Sequence, residues 1–287
     1  MSPAAPDHWT PLVSVARLGY ELSGPNPPVL LDVRWALGAP NGASDYARGH
    51  LPGAVYIDLD TQLSRTRGPG EGRHPLPEPD ALQTVLRNAG ISSHTRVVVY
   101  DARASTSAAR GWWVLRWAGV RDVAVLDGGL AAWEEAGGAV VTDVPLPVPG
   151  TVVVTAGAMP VLDAAAAAAL ARTGALLDAR APERYRGELE PVDPVGGHVP
   201  GALNAPTTGN LVPDGRFLPV GDLRARFAAL GIDASTTVGV YCGSGVTAAH
   251  ELLALEIAGL PAVIYPGSWS EWVTDPQRPV ATGADAG

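Results

Sequence analysis

Short apolar runs alternate with longer segments of helical spacing along most of the chain. Residues 29–33, 97–100 and 123–126 are such runs, rich in Val and Leu and too short to be helices. Between them, residues 82–90 carry apolar positions three and four apart, as on one face of a helix. This alternation predicts a doubly wound α/β fold, with a parallel sheet and helices on both of its faces.

The same signals occur twice, in the same order. The recurring pairs are Leu-Leu-Asp-x-Arg at 30–34 and 176–180, Gly-His-x-Pro-Gly-Ala at 49–54 and 197–202, the helical patterns 82–90 and 223–231, the strands 96–100 and 237–241, and the Gly-containing turns 126–129 and 265–268. Such an ordered set indicates a tandem duplication.

Two domains follow from this repeat. We expect a first domain over residues 10–142, a proline-containing linker over 143–159 and a second domain over 160–287. Residues 64–79 of the first copy are rich in Gly, Pro and Arg, which predicts an ordered but irregular loop.

Cys242 lies where a predicted strand gives way to a predicted helix. Gly243 and Gly245 follow it, and helical spacing begins at Thr247 and stops near Gly259. Glycines let a tight loop turn its N–H groups inward, and the helix N-terminus adds partial positive charge. A thiol in such a loop should ionise more readily than a free cysteine, so Cys242 is a candidate nucleophile rather than a buried apolar residue.

Composition excludes several other functions. A single cysteine rules out a disulfide framework and a cysteine-based metal site. All 20 basic residues are arginines, so neither a Schiff-base lysine nor a Walker-type phosphate loop is available. The net charge of −9 argues against nucleic acid or an anionic membrane as a partner. Without an apolar run of membrane length, we expect a cytoplasmic protein.

The first copy differs from the second at the position of the cysteine. Asp101 aligns with Cys242, and both loop glycines are missing, so we expect the first copy to have lost the anion-binding loop and to form one wall of the cleft. His50 and His198 lack a second metal ligand three or four residues away, which favours a structural turn over a metal site.

With its duplication and its Cys-Gly-Ser-Gly-Val-Thr loop, the chain resembles the tandem-domain rhodanese sulfurtransferases. The resemblance implies two rhodanese-like domains with one active site at their interface. It also implies ping-pong transfer, in which Cys242 takes the outer sulfur of a small-molecule donor as a persulfide and passes it to cyanide or a thiol. The catalytic residues would then be Cys242, Ser244 and Thr247, and no cofactor or metal is expected.

The same resemblance bears on the donor. Backbone amides of Gly243, Gly245 and Val246 would hold the transferred sulfur, and Arg184 matches the arginine that holds the donor's anionic end. This loop resembles that of the family's 3-mercaptopyruvate enzymes. A serine two residues after the cysteine also suits a neutral thiol donor, whereas two cations would suit a dianion better.

One departure leaves the donor open. The family's mercaptopyruvate enzymes carry a second arginine between Arg184 and the Gly-His-x-Pro-Gly turn, whereas residues 188–197 are acidic and contain none. Arg186 or an arginine of the first domain could substitute. Both 3-mercaptopyruvate and thiosulfate therefore remain candidate donors.

A cysteine phosphatase also places a thiolate among N–H groups at a helix start, but it needs an arginine six residues after the cysteine, and that position is Ala248. A non-enzymatic persulfide carrier that serves one protein partner remains an alternative. For an enzyme acting on small molecules with one site between its two halves, we expect a monomer.

Overall fold

The protein, described over residues 9–39 and 42–287 by a computed structural model, consists of two α/β halves. The first half contains β1 (Leu12–Val13), α1 (Val15–Leu22), β2 (Val29–Asp32), α2 (Ala43–Arg48), β3 (Val55–Tyr56), α3 (Pro79–Asn88), β4 (Val97–Tyr100), α4 (Thr106–Trp117), β5 (Val123–Leu126) and α5 (Gly129–Glu135). The second half contains α6 (Ala164–Thr173), β6 (Ala175–Asp178), α7 (Pro182–Tyr185), β7 (Leu203–Asn204), a 3₁₀ helix (Thr207–Asn210), α8 (Val220–Ala229), β8 (Val238–Tyr241), α9 (Thr247–Ile257), β9 (Ala262–Ile264) and α10 (Ser268–Trp272).

Each half is built on its own parallel sheet. The strand order is β1-β5-β4-β2-β3 in the first half and β7-β6-β8-β9 in the second, and all of these pairs are parallel. A single parallel bridge between Val161 and Ile264 takes the place of β1 in the second sheet. The predicted α/β architecture is confirmed, since β2, β4 and β5 fall on the three apolar runs.

Helices cover both faces of the sheets. In the first half, Val98 packs against α1 and α5 on one face, whereas Val97 and Val99 pack against α3 and α4 on the other. Alternate residues of a strand point to opposite faces, so a strand buried on both sides reads as a continuous apolar run. Gly259 has a φ of +76° directly after the C-cap of α9, which confirms the predicted end of that helix.

The two halves share one hydrophobic core. Helix α9 packs against α4, and a single cluster of buried residues includes Val99 of the first sheet and Val240 of the second. Helix α9 is buried almost all round, because α4 covers the side turned away from its own sheet. The segment 143–159 has neither helix nor strand and runs along the first half, where Gly150 N–H donates to the carbonyl of Arg87 at 2.7 Å.

The duplication extends to buried polar contacts. Arg180 donates to the Asp178 carboxylate through Nε at 3.0 Å and Nη2 at 2.6 Å, and to the carbonyl of Gly197 at 2.5 Å. Asp32 and Arg34 form the equivalent pair in the first half. These ion pairs fasten the Gly-His-x-Pro-Gly turn to the end of a central strand in each half, so the repeated motifs are structural.

The histidines of these turns bond to the backbone, as predicted. His50 Nδ1 lies 2.9 Å from the Tyr46 carbonyl and its Nε2 lies 2.9 Å from the Asp143 carbonyl. His198 Nδ1 lies 2.8 Å from the Tyr185 carbonyl, and its ring stacks on Tyr185. The described part of the chain contains no group of three or more His, Cys, Asp or Glu side chains that could hold a metal ion.

Candidate active site

Cys242 directly follows β8, at the carboxyl end of the central strand of the second sheet. The residue is 1% exposed, and the N–H of Gly245 donates to its Sγ at 3.1 Å. In parallel α/β sheets ligands bind at this edge, where strands end and helices begin. The thiol therefore lies inside the predicted loop, ahead of α9, with one amide already directed at the sulfur.

The two loop glycines are required for different reasons. Gly245 has a φ of +81°, and a Cβ built on it would lie 2.4 Å from the carbonyl oxygen of Pro266. At Gly243 a Cβ would lie 2.9 Å from Nη2 of Arg73 and 3.4 Å from Nη1 of Arg184. Gly245 thus permits the turn, whereas Gly243 leaves room for two guanidinium groups beside the loop.

Helix α10 holds the loop from outside. Its Trp269 N–H donates to the Cys242 carbonyl and its Ser270 N–H to the Gly243 carbonyl, each at 2.9 Å. In a trans peptide the C=O and the following N–H point in opposite directions. With both carbonyls turned outward, the N–H groups of Gly243 and Ser244 face the interior of the loop, which makes a cradle for an anion.

A hydrogen-bonded chain reaches the loop from the first half. Ser244 Oγ lies 2.8 Å from His74 Nδ1, and His74 Nε2 lies 3.1 Å from Asp60 Oδ1. Trp35 Nε1 also donates to Asp60 Oδ1, at 3.0 Å. Because an ionised carboxylate only accepts, Nε2 carries the ring proton and Nδ1 accepts the Ser244 hydroxyl. This is the Ser-His-Asp order of groups that can move a proton.

Burial lowers the pKa of His74 to about 4, and the nearby Arg110 acts in the same direction while Asp60 opposes it. The pKa of free histidine is about 6.5. Because the lowered pKa of His74 lies well below 7, its ring is neutral at pH 7. A neutral His74 can take a proton from Ser244 and give it back, whereas an imidazolium could only donate.

Two arginines flank the mouth of the loop. Arg184, on α7, donates to Glu190 through Nε at 3.0 Å and Nη2 at 2.6 Å. Arg73, from the irregular loop of the first half, pairs with Asp193. Arg186 does not join them, because its guanidinium pairs with Glu188, which is exposed. The second arginine beside Gly243 is thus Arg73, an arginine of the first domain.

A cavity of about 660 Å³ opens next to these groups. Its walls come from both halves and include Trp35, Asp60, Arg73, His74, Asp193 and Ser270. The volume is that of a small-molecule site.

The first half retains an anion-binding loop, contrary to the expectation that it is lost. The Asp101 carboxylate accepts from the N–H groups of Arg103, Ser105, Ser107 and Ala108 at 3.0–3.3 Å. The prediction failed because converging amides do not depend on the two glycines. The aspartate fills the cradle with its own side chain.

Six of the predicted site residues lie together on one loop. Gly243, Ser244, Gly245 and Val246 are buried between Cys242 and Thr247, and Thr247 is the half-buried first residue of α9. The sequence analysis allowed for an arginine of the first domain without naming Arg73, and it missed Asp60, His74 and Arg110. The available signal was the long irregular loop 64–79, since such loops in compact domains are often functional.

The profile of the rhodanese-like domain matches residues 16–136 and 163–275. The chain belongs to the rhodanese family. Both halves are therefore rhodanese domains, as the sequence resemblance implied.

Curated relatives of this rhodanese are sulfurtransferases. A Pseudomonas aeruginosa protein, provisionally named 3-mercaptopyruvate sulfurtransferase, is 49% identical over 280 residues, which cover 95% of this chain and 98% of the relative. A Mycobacterium tuberculosis protein, provisionally named thiosulfate sulfurtransferase SseB, is 48% identical over 277 residues, 95% of this chain and 97% of the relative. The crystal structure of the Escherichia coli 3-mercaptopyruvate sulfurtransferase SseA superposes with a TM-score of 0.80 at 32% identity, covering 91% of this chain and 99% of SseA.

This chain is accordingly a sulfurtransferase enzyme with two rhodanese domains. The names of relatives at nearly equal identity divide between two sulfur donors, so they do not decide the donor. No helix within the described residues is long and apolar enough to cross a membrane.

Proposed function

We propose that this rhodanese transfers sulfur from 3-mercaptopyruvate to a thiophilic acceptor, with Cys242 as the sulfur carrier. The observation that carries the proposal is the chain of hydrogen bonds from Ser244 through His74 to Asp60, next to the thiol. A thiol donor has a proton to lose, and this chain supplies a route for it. Thiosulfate has no such proton.

In the first half-reaction the Cys242 thiolate attacks the sulfur of the donor. A sulfur–sulfur bond forms, and the donor's carbon–sulfur bond breaks with its electron pair staying on carbon. Ser244 accepts the donor's S–H proton as its own proton passes to His74, and the proton returns to the carbon to give pyruvate. Cys242 is left as a persulfide anion, which is a reversible state of cysteine.

The loop amides stabilise that anion. The N–H of Gly245 already reaches Sγ, and those of Gly243 and Ser244 face the space where an outer sulfur would lie. Amides fixed in advance need no reorganisation as charge develops, which makes such groups effective in catalysis. In the second half-reaction cyanide or a thiolate attacks the outer sulfur, and the sulfur–sulfur bond breaks to return the Cys242 thiolate.

Arg184 and Arg73 hold the carboxylate of the donor. Both guanidinium groups lie next to Gly243. The planar guanidinium matches a carboxylate in shape and charge. Arg73, rather than Arg186, is the second arginine for the donor's carboxylate, because Arg186 pairs with Glu188. Val246 and Thr247 complete the loop, with Thr247 at the N-terminus of α9.

Relative kcat/KM values for 3-mercaptopyruvate and thiosulfate, from cyanide-dependent thiocyanate production, test this proposal. We expect 3-mercaptopyruvate to be preferred. Intact-mass spectrometry after donor treatment should show one added sulfur on Cys242. A preference for thiosulfate would contradict the donor, and absence of any sulfur adduct with either donor would contradict the role of Cys242.

We further propose that the enzyme works as a cytoplasmic monomer. Support comes from the completeness of the site within one chain, because His74 and Arg73 of the first half reach the loop of the second. A lone free cysteine also suits a reducing compartment. Size-exclusion chromatography with light scattering tests the oligomeric state, and a dimer mass would contradict it.

A further inference from the structure

The two arginines at the mouth of the Cys242 loop share an internal carboxylate. Asp193 pairs with Arg73 through one oxygen and lies 3.2 Å from Nη2 of Arg184 through the other. Its side chain is 4% exposed, and it lines the 660 Å³ cavity. Asp193 therefore lies between the two guanidinium groups, whereas the guanidinium nitrogens nearest Gly243 are Nη2 of Arg73 and Nη1 of Arg184.

Glu190 holds this arrangement in place. Its two carboxylate oxygens accept hydrogen bonds from Nε and Nη2 of Arg184. One of them also accepts hydrogen bonds from the N–H groups of Val192 and Asp193, both at 3.1 Å. Although burial opposes ionisation, the hydrogen bond from Arg184 lowers the pKa of Glu190 below its usual value. Glu190 therefore fixes the turn that carries Asp193, because its carboxylate bonds both to that turn and to Arg184.

The charges in this cluster cancel. Arg73, Arg184 and Arg180 contribute three positive charges, and Asp193, Glu190 and Asp178 contribute three negative charges, all in ion-pair contact. A wall without net positive charge offers little attraction to any anion, and it repels a dianion more strongly than a single carboxylate. Glu190 and Asp193 lie in the segment that departs from the family pattern.

We propose that Asp193, supported by Glu190, is a specificity-determining residue that disfavours the dianion thiosulfate relative to a donor with one carboxylate. This rests on the proposed function of Cys242 as the sulfur carrier. The single carboxylate of 3-mercaptopyruvate adds one negative charge to this balanced cluster. Thiosulfate brings an additional negative charge, which faces Glu190 and the Cys242 thiolate without compensation.

The test compares Asp193→Asn, Glu190→Gln and a control, Glu188→Gln. Glu188 is in the same segment but is exposed and pairs with Arg186. The rate of sulfur loading on Cys242 is measured by quenched mass spectrometry, with thiosulfate and 3-mercaptopyruvate separately and at two ionic strengths. We expect Asp193→Asn to raise the thiosulfate-to-mercaptopyruvate ratio about tenfold, most strongly at low salt. Glu190→Gln should raise it less, and the control should leave it unchanged.

The outcomes separate this inference from the proposed function. Loading of the unmodified enzyme by at least one donor, with a ratio that Asp193→Asn does not change, would overturn the specificity role alone. Failure of every donor to load the unmodified enzyme would overturn the role of Cys242 instead.

A second measurement uses only the unmodified enzyme, so it does not depend on whether a variant folds. Alkylation of Cys242 by iodoacetamide is followed in the unmodified enzyme with inorganic sulfate or pyruvate present at equal ionic strength. Pyruvate should slow alkylation more than sulfate. Equal or stronger protection by sulfate would contradict the proposed discrimination.

Discussion

The Arg110 guanidinium of the first domain donates a hydrogen bond to the Gly245 carbonyl in the loop of the second, with Nη1 and the oxygen 3.3 Å apart. Arg110 is fully buried, and Nη2 donates to the carbonyls of Leu63 and His74. Because the Gly245 carbonyl points outward to Arg110, the following N–H of Val246 is directed into the loop. A residue of the first half thus orients an amide of the Cys242 loop.

Substitution Arg110→Gln should lower kcat about tenfold to a hundredfold with both donors, because the loop loses both an oriented amide and a buried positive charge. Burial lowers the pKa of Arg110 to about 10, so the group remains charged at neutral pH. Steady-state kinetics measure the effect. Arg116→Gln is a matched control on the same helix, since Arg116 pairs with Glu256, and a similar loss in both variants would contradict the assignment.

Cys242→Ser should abolish transfer with either donor and leave the fold intact. A serine hydroxyl forms no persulfide, so transfer is lost. The hydroxyl is close in size to the thiol, so the packing at the end of β8 is preserved. Thiocyanate production and circular dichroism measure activity and fold. Substantial residual turnover would refute the role of this residue.

Arg184→Ala should weaken donor binding by about 1.5–3 kcal/mol, the usual contribution of a charge-assisted hydrogen bond. This corresponds to a rise in KM of about tenfold to a hundredfold. Arg186→Ala is the control, because Arg186 pairs with the exposed Glu188 away from Gly243. Unchanged KM values for both donors in Arg184→Ala would contradict donor binding by Arg184.

His74→Gln should reduce kcat/KM more for 3-mercaptopyruvate than for thiosulfate, since only the thiol donor needs a proton relay. The pKa of His74 is about 4 in the folded enzyme, so the ring becomes protonated only as the pH falls towards that value. Activity with 3-mercaptopyruvate should therefore decline more steeply on acidification than activity with thiosulfate, because both donors need the Cys242 thiolate but only 3-mercaptopyruvate needs a neutral His74. His74→Gln should remove that difference. Equal losses with both donors at every pH would indicate a purely structural role.

Asp101→Ala should destabilise the protein by about 2–3 kcal/mol while leaving donor preference unchanged. The substitution leaves several buried N–H groups, including those of Ser105 and Ser107, without their acceptor. Urea unfolding gives the free energy of unfolding, and parallel kinetics give the donor ratio. A changed donor ratio would show that the first cradle influences the site of the second.

The amino-acid sequence by itself determined the α/β class, the duplication and the loop at Cys242. Strand and helix periodicity, glycine positions and the Asp101 substitution are local features, and local features are readable along one chain. The tertiary structure alone decided that His74 lies beside Ser244, 170 residues away, and that Asp193 lies between Arg73 and Arg184. Those contacts depend on how α4 packs against α9 and on the path of an irregular loop. Periodicity carries no information about either, because it records only which face of an element is buried.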